Sequence, residues 1–342
     1  MHYGCSPAPL SSDRSHQGTL DEFPPVSALE VEQLLKSMPS KSSPLDVVPT
    51  SLLKGCSDTF SHIIAQLANL SFQRGQFPSQ FKIAQITPLL KRQGLEISDP
   101  SSYRPISNLN TISKIIERLV LKRITSHVHV TSVDRLQSAY RRFYSTETAL
   151  LKITDDIYEG FNAGQSTLLV ALDLSAAFDC IDHNTLLGRL QHTFGLSGVV
   201  LDWMRSYLNG RSSFVRLGSS VSDAVDVSVG VPQRSSLGSK LFSMYISPMA
   251  HLIETFGVMY HQYADDTQLY IAISKTDVDI QMATLERCVN AVHNWLLHNG
   301  LSLNPAKSDA IQFSIGQARN SVVDIATVNI SGRCIHPAIC SN

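Results

Sequence analysis

The chain has 342 residues, 43% of them hydrophobic, and a formal net charge of −1, a globular composition long enough for a sizeable core in more than one lobe. No run approaches the ~20 continuous apolar residues of a membrane span, and Met1-His-Tyr-Gly-Cys-Ser-Pro7 lacks the charged and apolar regions of a secretory signal. Six scattered cysteines with no Cys-x-x-Cys argue against a zinc site or disulfide framework and fit a reducing, intracellular setting, nucleus or cytoplasm.

In chain order, residues 1–25, rich in Ser, Pro, Asp and Gly, read as a disordered lead-in, and 26–84 as a helical N-terminal extension. Ser27 with Glu30 predicts a capping box opening a helix that ends before Pro39. Residues 40–49 read as a loop, Ser61 to Gln73 as helix, and Gln85 to Leu90 as a short strand. Ile112, Ile115, Ile116, Leu119 and Val120 recur at helical spacing, as do Leu150, Ile153, Ile157 and Phe161 on a helix that Ser145 or Thr146 can cap. The continuous apolar run Thr167–Leu172 predicts a fully buried strand ending at Asp173. Helices follow over 184–194, which Asp182 can cap, and 198–209, then strands near 212–217 and 223–229. A helix carries Leu237, Leu241 and Met244. Beyond it come a hairpin around Tyr263-Ala-Asp-Asp266, a helix over 276–298 and a strand over 309–314. The mixture is α+β with a small antiparallel sheet.

The near-neutral total hides an asymmetry. From Arg74 to Arg142 twelve Lys/Arg face four Asp/Glu, +8, which leaves −9 for the rest. A basic lobe facing phosphates and an acidic lobe holding metal is one reading, and ordinary solvated helix faces are the other.

Asp265 and Asp266 are adjacent like charges between two apolar runs. They are either a solvated turn or a site for a cation, since burial raises the cost of their repulsion. With Asp173 they make three carboxylates at strand ends, a donor set for Mg2+, which prefers oxygen. Two such ions suit in-line displacement at phosphorus.

Six segments in order carry a resemblance. Tyr103-Arg-Pro-Ile-Ser-Asn-Leu109 and the run from Gln137 to Leu150 are followed by Ala171-Leu-Asp-Leu-Ser-Ala-Ala-Phe-Asp-Cys-Ile-Asp-His183 and Gly230-Val-Pro-Gln-Arg-Ser-Ser-Leu-Gly238. Tyr263-Ala-Asp-Asp266 and Gly300-Leu-Ser-Leu-Asn-Pro-Ala-Lys-Ser308 complete the set. From about Leu29 to Ile335 the chain resembles the reverse transcriptases of LINE-type (non-LTR) retrotransposons. The resemblance implies a right-hand polymerase fold within 85–342, with fingers over about 85–160, a palm over about 161–335 and the thumb largely absent. It implies an RNA-directed DNA polymerase with an RNA template, a DNA primer and dNTPs as partners, no membrane, and two Mg2+ ions, for which Mn2+ can substitute. Asp173, Asp265 and Asp266 would be the catalytic, metal-holding acids, with the Leu174 carbonyl as a further ligand. Phe178 would exclude a 2′-hydroxyl, Lys91 and Arg104 would contact the triphosphate, Gln233 the nucleotide or template, and Lys307 the leaving pyrophosphate. On composition alone Phe178 reads as a core aromatic and Lys307 as a loop lysine.

The chain departs from the family at Arg234, where glycine is usual, and at Ser239-Lys240, where Pro-Leu is usual. Arginine adds bulk and charge where glycine permits positive φ. With the chain's early end, these departures define the competing expectation, a weak or inactive fragment that retains only nucleic-acid binding.

Overall fold

The computed structural model describes residues 18–128, 134–314 and 325–341. The expected lead-in and Cys5 lie largely outside them. The described chain divides into two compact units, each discontinuous in sequence.

The first unit comprises residues 18–128 and 181–244. Its opening helix, Ala28–Ser37, is capped at Ser27, whose side chain accepts from the Glu30 N–H. The reciprocal half of the expected capping box does not form. The Glu30 carboxylate is drawn instead to Arg123, 3.1 Å away, and Lys122, 2.8 Å away, because a charge-assisted pair outcompetes a bond to a neutral amide. The second helical segment starts earlier than expected, as Ser57–Gln73, behind a short helix, Thr50–Gly55. The core gathers around fully buried Trp203, which stacks on Tyr207 with ring centroids 5.6 Å apart and meets Phe77 edge-on at 5.4 Å. Its indole N–H donates to Ser71 Oγ at 2.8 Å. Asp182 caps the helix His183–His192 by accepting from the Thr185 N–H at 2.7 Å, as its position predicts.

This unit carries one sheet. Ile83–Leu90 pairs antiparallel with Tyr103–Asn108 and parallel with Arg211–Leu217. The parallel pairing stops at Ile86, so Pro88, which lacks an N–H, falls beyond it and opposite Pro105 on the edge strand.

The second unit comprises residues 134–180 and 245–341. Its sheet has the order Ala338–Ser341, Asp309–Ser314, Ser166–Leu172, Asp266–Ile273, Met259–Tyr263. Ser166–Leu172 is central and pairs antiparallel on both sides, which explains its unbroken apolar run. Leu169 and Tyr270 pack against Ile153 and Ile157 of the helix Thr146–Asn162. Leu168, Val170 and Leu269 are fully buried as well, so alternate side chains on both faces of the sheet are covered. The expected apolar stripe of that helix is wrong at one position. Leu150 is 62% exposed, and Ala149 takes the inward place. After residue 325 a hairpin, Val328–Ile330 with Arg333–Ile335, precedes the last strand, which joins the sheet in parallel.

Candidate polymerase active site

Tyr263 pairs with Asp266, so Ala264 and Asp265 form a two-residue hairpin turn. Such turns need positive φ and favour glycine or asparagine. Ala264 nevertheless stands at φ +58°, at a cost of roughly 1–2 kcal/mol for a residue with a Cβ. The hairpin's second strand runs against Ser166–Leu172 with Leu172 opposite Thr267. One step further along that register, Asp173 comes beside Asp266.

Asp173 is anchored through its backbone. Its carbonyl accepts from the Asn304 N–H at 2.8 Å, and its N–H reaches Ser308 Oγ at 3.4 Å. Leu174 pairs with Leu303 in a short antiparallel ladder, so the segment from Ser302 to Ser308 is laid along the end of the strand Ser166–Leu172. That segment brings Lys307 Nζ to 3.8 Å from Asp173 Oδ2. Asp173 Oδ2 is buried and has no hydrogen-bond partner.

The carboxylates feel one another. Asp266 has its pKa raised, first by burial and then by the charges of Asp265 and Asp173. Among the described residues no three His, Cys, Asp or Glu side chains are arranged to hold a metal ion as they stand. The donor set fits a hard divalent cation all the same: it is all oxygen, it is coupled, and it includes an orphaned buried carboxylate oxygen.

Phe178 is half-buried on a short 3-10 turn, Ala177–Asp179, entered through Ala176 at φ +48°. Lys91, Arg104 and Gln233 belong to the other unit. Arg104 is exposed on its strand opposite Leu89, and Lys91, one residue past the strand end, falls on the same face by alternation. Lys91 Nζ donates to the Ser101 carbonyl at 2.7 Å. Gln233 is half-buried in the turn before the helix Gly238–Ile246, and the next residue, Arg234, is exposed at φ +69°. The position where the resemblance expects glycine thus has the backbone of one. Lys240 is half-buried on that helix.

The basic segment is only partly available to a ligand. Arg123 is buried and spends its guanidinium on Glu30 and on the Pro24 and Pro25 carbonyls, and Arg141 donates to three backbone carbonyls. Arg74, Arg92, Arg104, Arg135 and Arg142 are exposed. Two buried residues, one in each unit, have roles that the sequence does not announce. Gln137 bonds the turn at Ala264, and fully buried Glu117 bonds the start of the helix after Gln233.

A mainly antiparallel sheet that presents coupled carboxylates at adjoining strand ends fits a polymerase palm. Residues 90–321 match the family described as "Reverse transcriptase (RNA-dependent DNA polymerase)". The chain belongs to that family, in its LINE-type (non-LTR) branch. It is 28% identical over 321 residues, 87% of this chain and 34% of the relative, to the "Probable RNA-directed DNA polymerase from transposon BS" of Drosophila melanogaster. It is 27% identical over 323 residues, 91% of this chain and 34% of the relative, to the "RNA-directed DNA polymerase from mobile element jockey" of the same fly. The chain thus spans about a third of the length of the curated relatives it matches. Among solved structures, telomerase from Candida albicans, in complex with a fragment of telomeric RNA, aligns with a TM-score of 0.50 at 15% identity over 84% of this chain and 49% of that one. The fold is that of a right-hand polymerase. Among the described residues no helix is long and apolar enough to cross a membrane.

Proposed function

We propose that this chain is the catalytic core of an RNA-directed DNA polymerase, which adds deoxynucleotides to the 3′-end of a DNA primer on an RNA template. One observation carries the reading: Asp173 and Asp266 stand at adjoining strand ends with Asp265 in the turn beside them, where burial and then the charges of Asp265 and Asp173 raise the pKa of Asp266, and Asp173 Oδ2 is buried without a hydrogen-bond partner. Those three side chains and the Leu174 carbonyl would hold two Mg2+ ions, or Mn2+ in their place. Bound there, the metal supplies Lewis-acid charge for the primer hydroxyl and the departing pyrophosphate.

The chain's own groups do the rest. The Asn304 and Ser308 contacts fix the backbone of Asp173, which supplies the positioning this chemistry depends on. Lys307, beside Asp173 and 59% exposed, can give a proton to the pyrophosphate. Phe178 supplies bulk against a 2′-hydroxyl, which selects deoxynucleotides by shape. Lys91 and Arg104, exposed on one face of their hairpin, supply charge-assisted bonds for a triphosphate, and Gln233 contacts nucleotide or template.

Extension of an oligo(dT) primer on poly(rA) tests the reading, with dTTP and UTP in parallel. The wild type should extend with dTTP and poorly with UTP, Asp265→Ala should not extend, and Phe178→Val should accept UTP. Folded wild-type protein that extends with neither nucleotide overturns it. A second reading, nucleic-acid binding with little catalysis, is favoured by the strained Arg234. Tight primer-template binding without extension, with extension recovered in Arg234→Gly, is its signature.

A further inference from the structure

The turn that carries Asp265 is held from outside by a segment 127 residues away in sequence. Gln137 forms a parallel bridge with Gln262. The Gln262 N–H donates to the Leu136 carbonyl and the Ser138 N–H to the Gln262 carbonyl, both at 2.9 Å. The segment therefore extends the hairpin by a short stretch of pairing next to the turn. Ser138 Oγ also meets His261 Nε2 at 2.9 Å.

The side chain of Gln137, 1% exposed, then closes on Ala264. Its Oε1 accepts from the Ala264 N–H at 3.0 Å and from the Ala139 N–H at 3.1 Å. Its Nε2 donates to the Ala264 carbonyl at 3.2 Å. One amide thus satisfies both backbone groups of a residue at φ +58°. A side-chain amide offers a donor and an acceptor on neighbouring atoms, and Gln has a greater reach than Asn. An alanine at a left-handed position has a standing tendency to leave it. If the turn relaxes, Asp265 and Asp266 change direction together, because they flank the same peptide.

We propose that Gln137 is a positioning residue that locks the Ala264–Asp265 turn, and so fixes the two hairpin carboxylates relative to Asp173. The proposal rests on reading those carboxylates as the polymerase centre. Gln137 touches neither nucleotide nor metal in this role. It acts through the Ala264 peptide, and the choice of alanine at 264 is tolerable because Gln137 is there.

Three variants separate positioning from packing. Gln137→Met keeps volume and loses every bond. Gln137→Glu keeps the acceptors, loses the donor to the Ala264 carbonyl and adds a charge near Asp265 and Asp266. Ala264→Gly removes the need for the lock. Amide exchange is read first, on the hairpin residues 259–273, since it needs no activity. Gln137→Met should speed exchange at Ala264 and Asp265 by about tenfold or more while the helix Val278–His298 is unchanged. Exchange at the turn equal to wild type overturns the proposal, as does acceleration spread evenly over the unit. Primer extension is read second. Gln137→Met and Gln137→Glu should lower kcat about ten- to a hundredfold, with KM for primer-template within about twofold. Adding Ala264→Gly to Gln137→Met should recover part of kcat. A kcat near wild type in Gln137→Met, or no recovery with Ala264→Gly, overturns it. If wild-type protein does not extend a primer at all, the polymerase reading fails on that result, while the exchange experiment still decides whether Gln137 locks the turn.

Discussion

Lys307 Nζ lies 3.8 Å from the buried Oδ2 of Asp173, which has no hydrogen-bond partner, and the short pairing of Leu303 with Leu174 places it there. The separation exceeds a hydrogen bond and the lysine is 59% exposed, so the pair adds little stability. Its value lies in where it leaves an ammonium group. Lys307→Met should leave the melting temperature within about 1–2 °C of wild type, while the extension rate falls at least about tenfold through loss of a general acid. A rate unchanged in Lys307→Met removes the lysine from the mechanism.

Asp266 gives the protein a pH dependence of definite sign. Burial and the charges of Asp265 and Asp173 raise its pKa above the unfolded value, so between those two values the folded state binds more protons than the unfolded one. Stability therefore falls as pH rises through that window, and the penalty is complete above the folded pKa. Asp266 is exposed enough for solvent to screen it, so the effect is modest. Asp266→Asn should raise the melting temperature at neutral pH by a degree or so, roughly, and by less near pH 4. Added Mg2+ should raise the wild-type melting temperature at neutral pH, and Asp265→Ala should blunt that rise. A wild type whose melting temperature is indifferent to Mg2+ with primer-template and nucleotide bound would count against the carboxylates as a metal site.

How legible these features are in sequence depends on how local their causes are. The strand Ser166–Leu172 announces itself because both faces are buried, and Asp173 is then placed by counting. The cap at Asp182 is equally local. The strand Tyr103–Asn108 is not legible, since it contains Pro105 and alternates poorly, and its edge position is a tertiary fact. Glu30 looks like half of a capping box until Arg123, 93 residues on, offers a better partner. Leu150 fits a helical stripe by spacing, yet the sheet selects the neighbouring Ala149. Gln137 and Glu117 are beyond local reading, because their partners are 127 and 119 residues away. The one signal for Glu117 is that Ser113, Glu117, Val120 and Ile124 share a helix face that is buried throughout.

Arg234 is a test of backbone conformation alone. At φ +69° with an exposed side chain, it carries a left-handed penalty of roughly 1–2 kcal/mol, offset in part by the greater freedom glycine has when unfolded. Arg234→Gly should therefore be neutral to stabilising by up to about 1 kcal/mol in urea unfolding, whereas Arg234→Val, β-branched at the same φ, should destabilise by about 1 kcal/mol or more. If Arg234→Gly also raises primer extension, the arginine is the brake on catalysis. If it changes stability and leaves extension untouched, the brake is elsewhere.

Glu117 holds the loop that bears Gln233 and Arg234 to the helix Thr111–His127. Its Oε2 accepts from the Ser236 N–H at 2.7 Å and the Leu237 N–H at 3.3 Å, and Oε1 from Ser113 Oγ at 3.2 Å. The two amides stand at the start of the helix Gly238–Ile246, where backbone N–H groups lack partners within the helix and favour an anion. Burial pushes the carboxyl's pKa up, while the nearby Arg211 charge and these hydrogen bonds oppose the rise. Removing the side chain strands one buried and one part-buried amide and leaves a cavity, so Glu117→Ala should cost about 3 kcal/mol or more in urea unfolding. Glu117→Gln keeps an acceptor oxygen for the amides and should cost about half as much. Because the loop leads directly into the helix start, Glu117→Gln should also lower primer extension more than it lowers stability. Equal stability in Glu117→Ala and Glu117→Gln would show that neither the volume of the residue nor a neutral acceptor for Ser236 and Leu237 holds this loop in place.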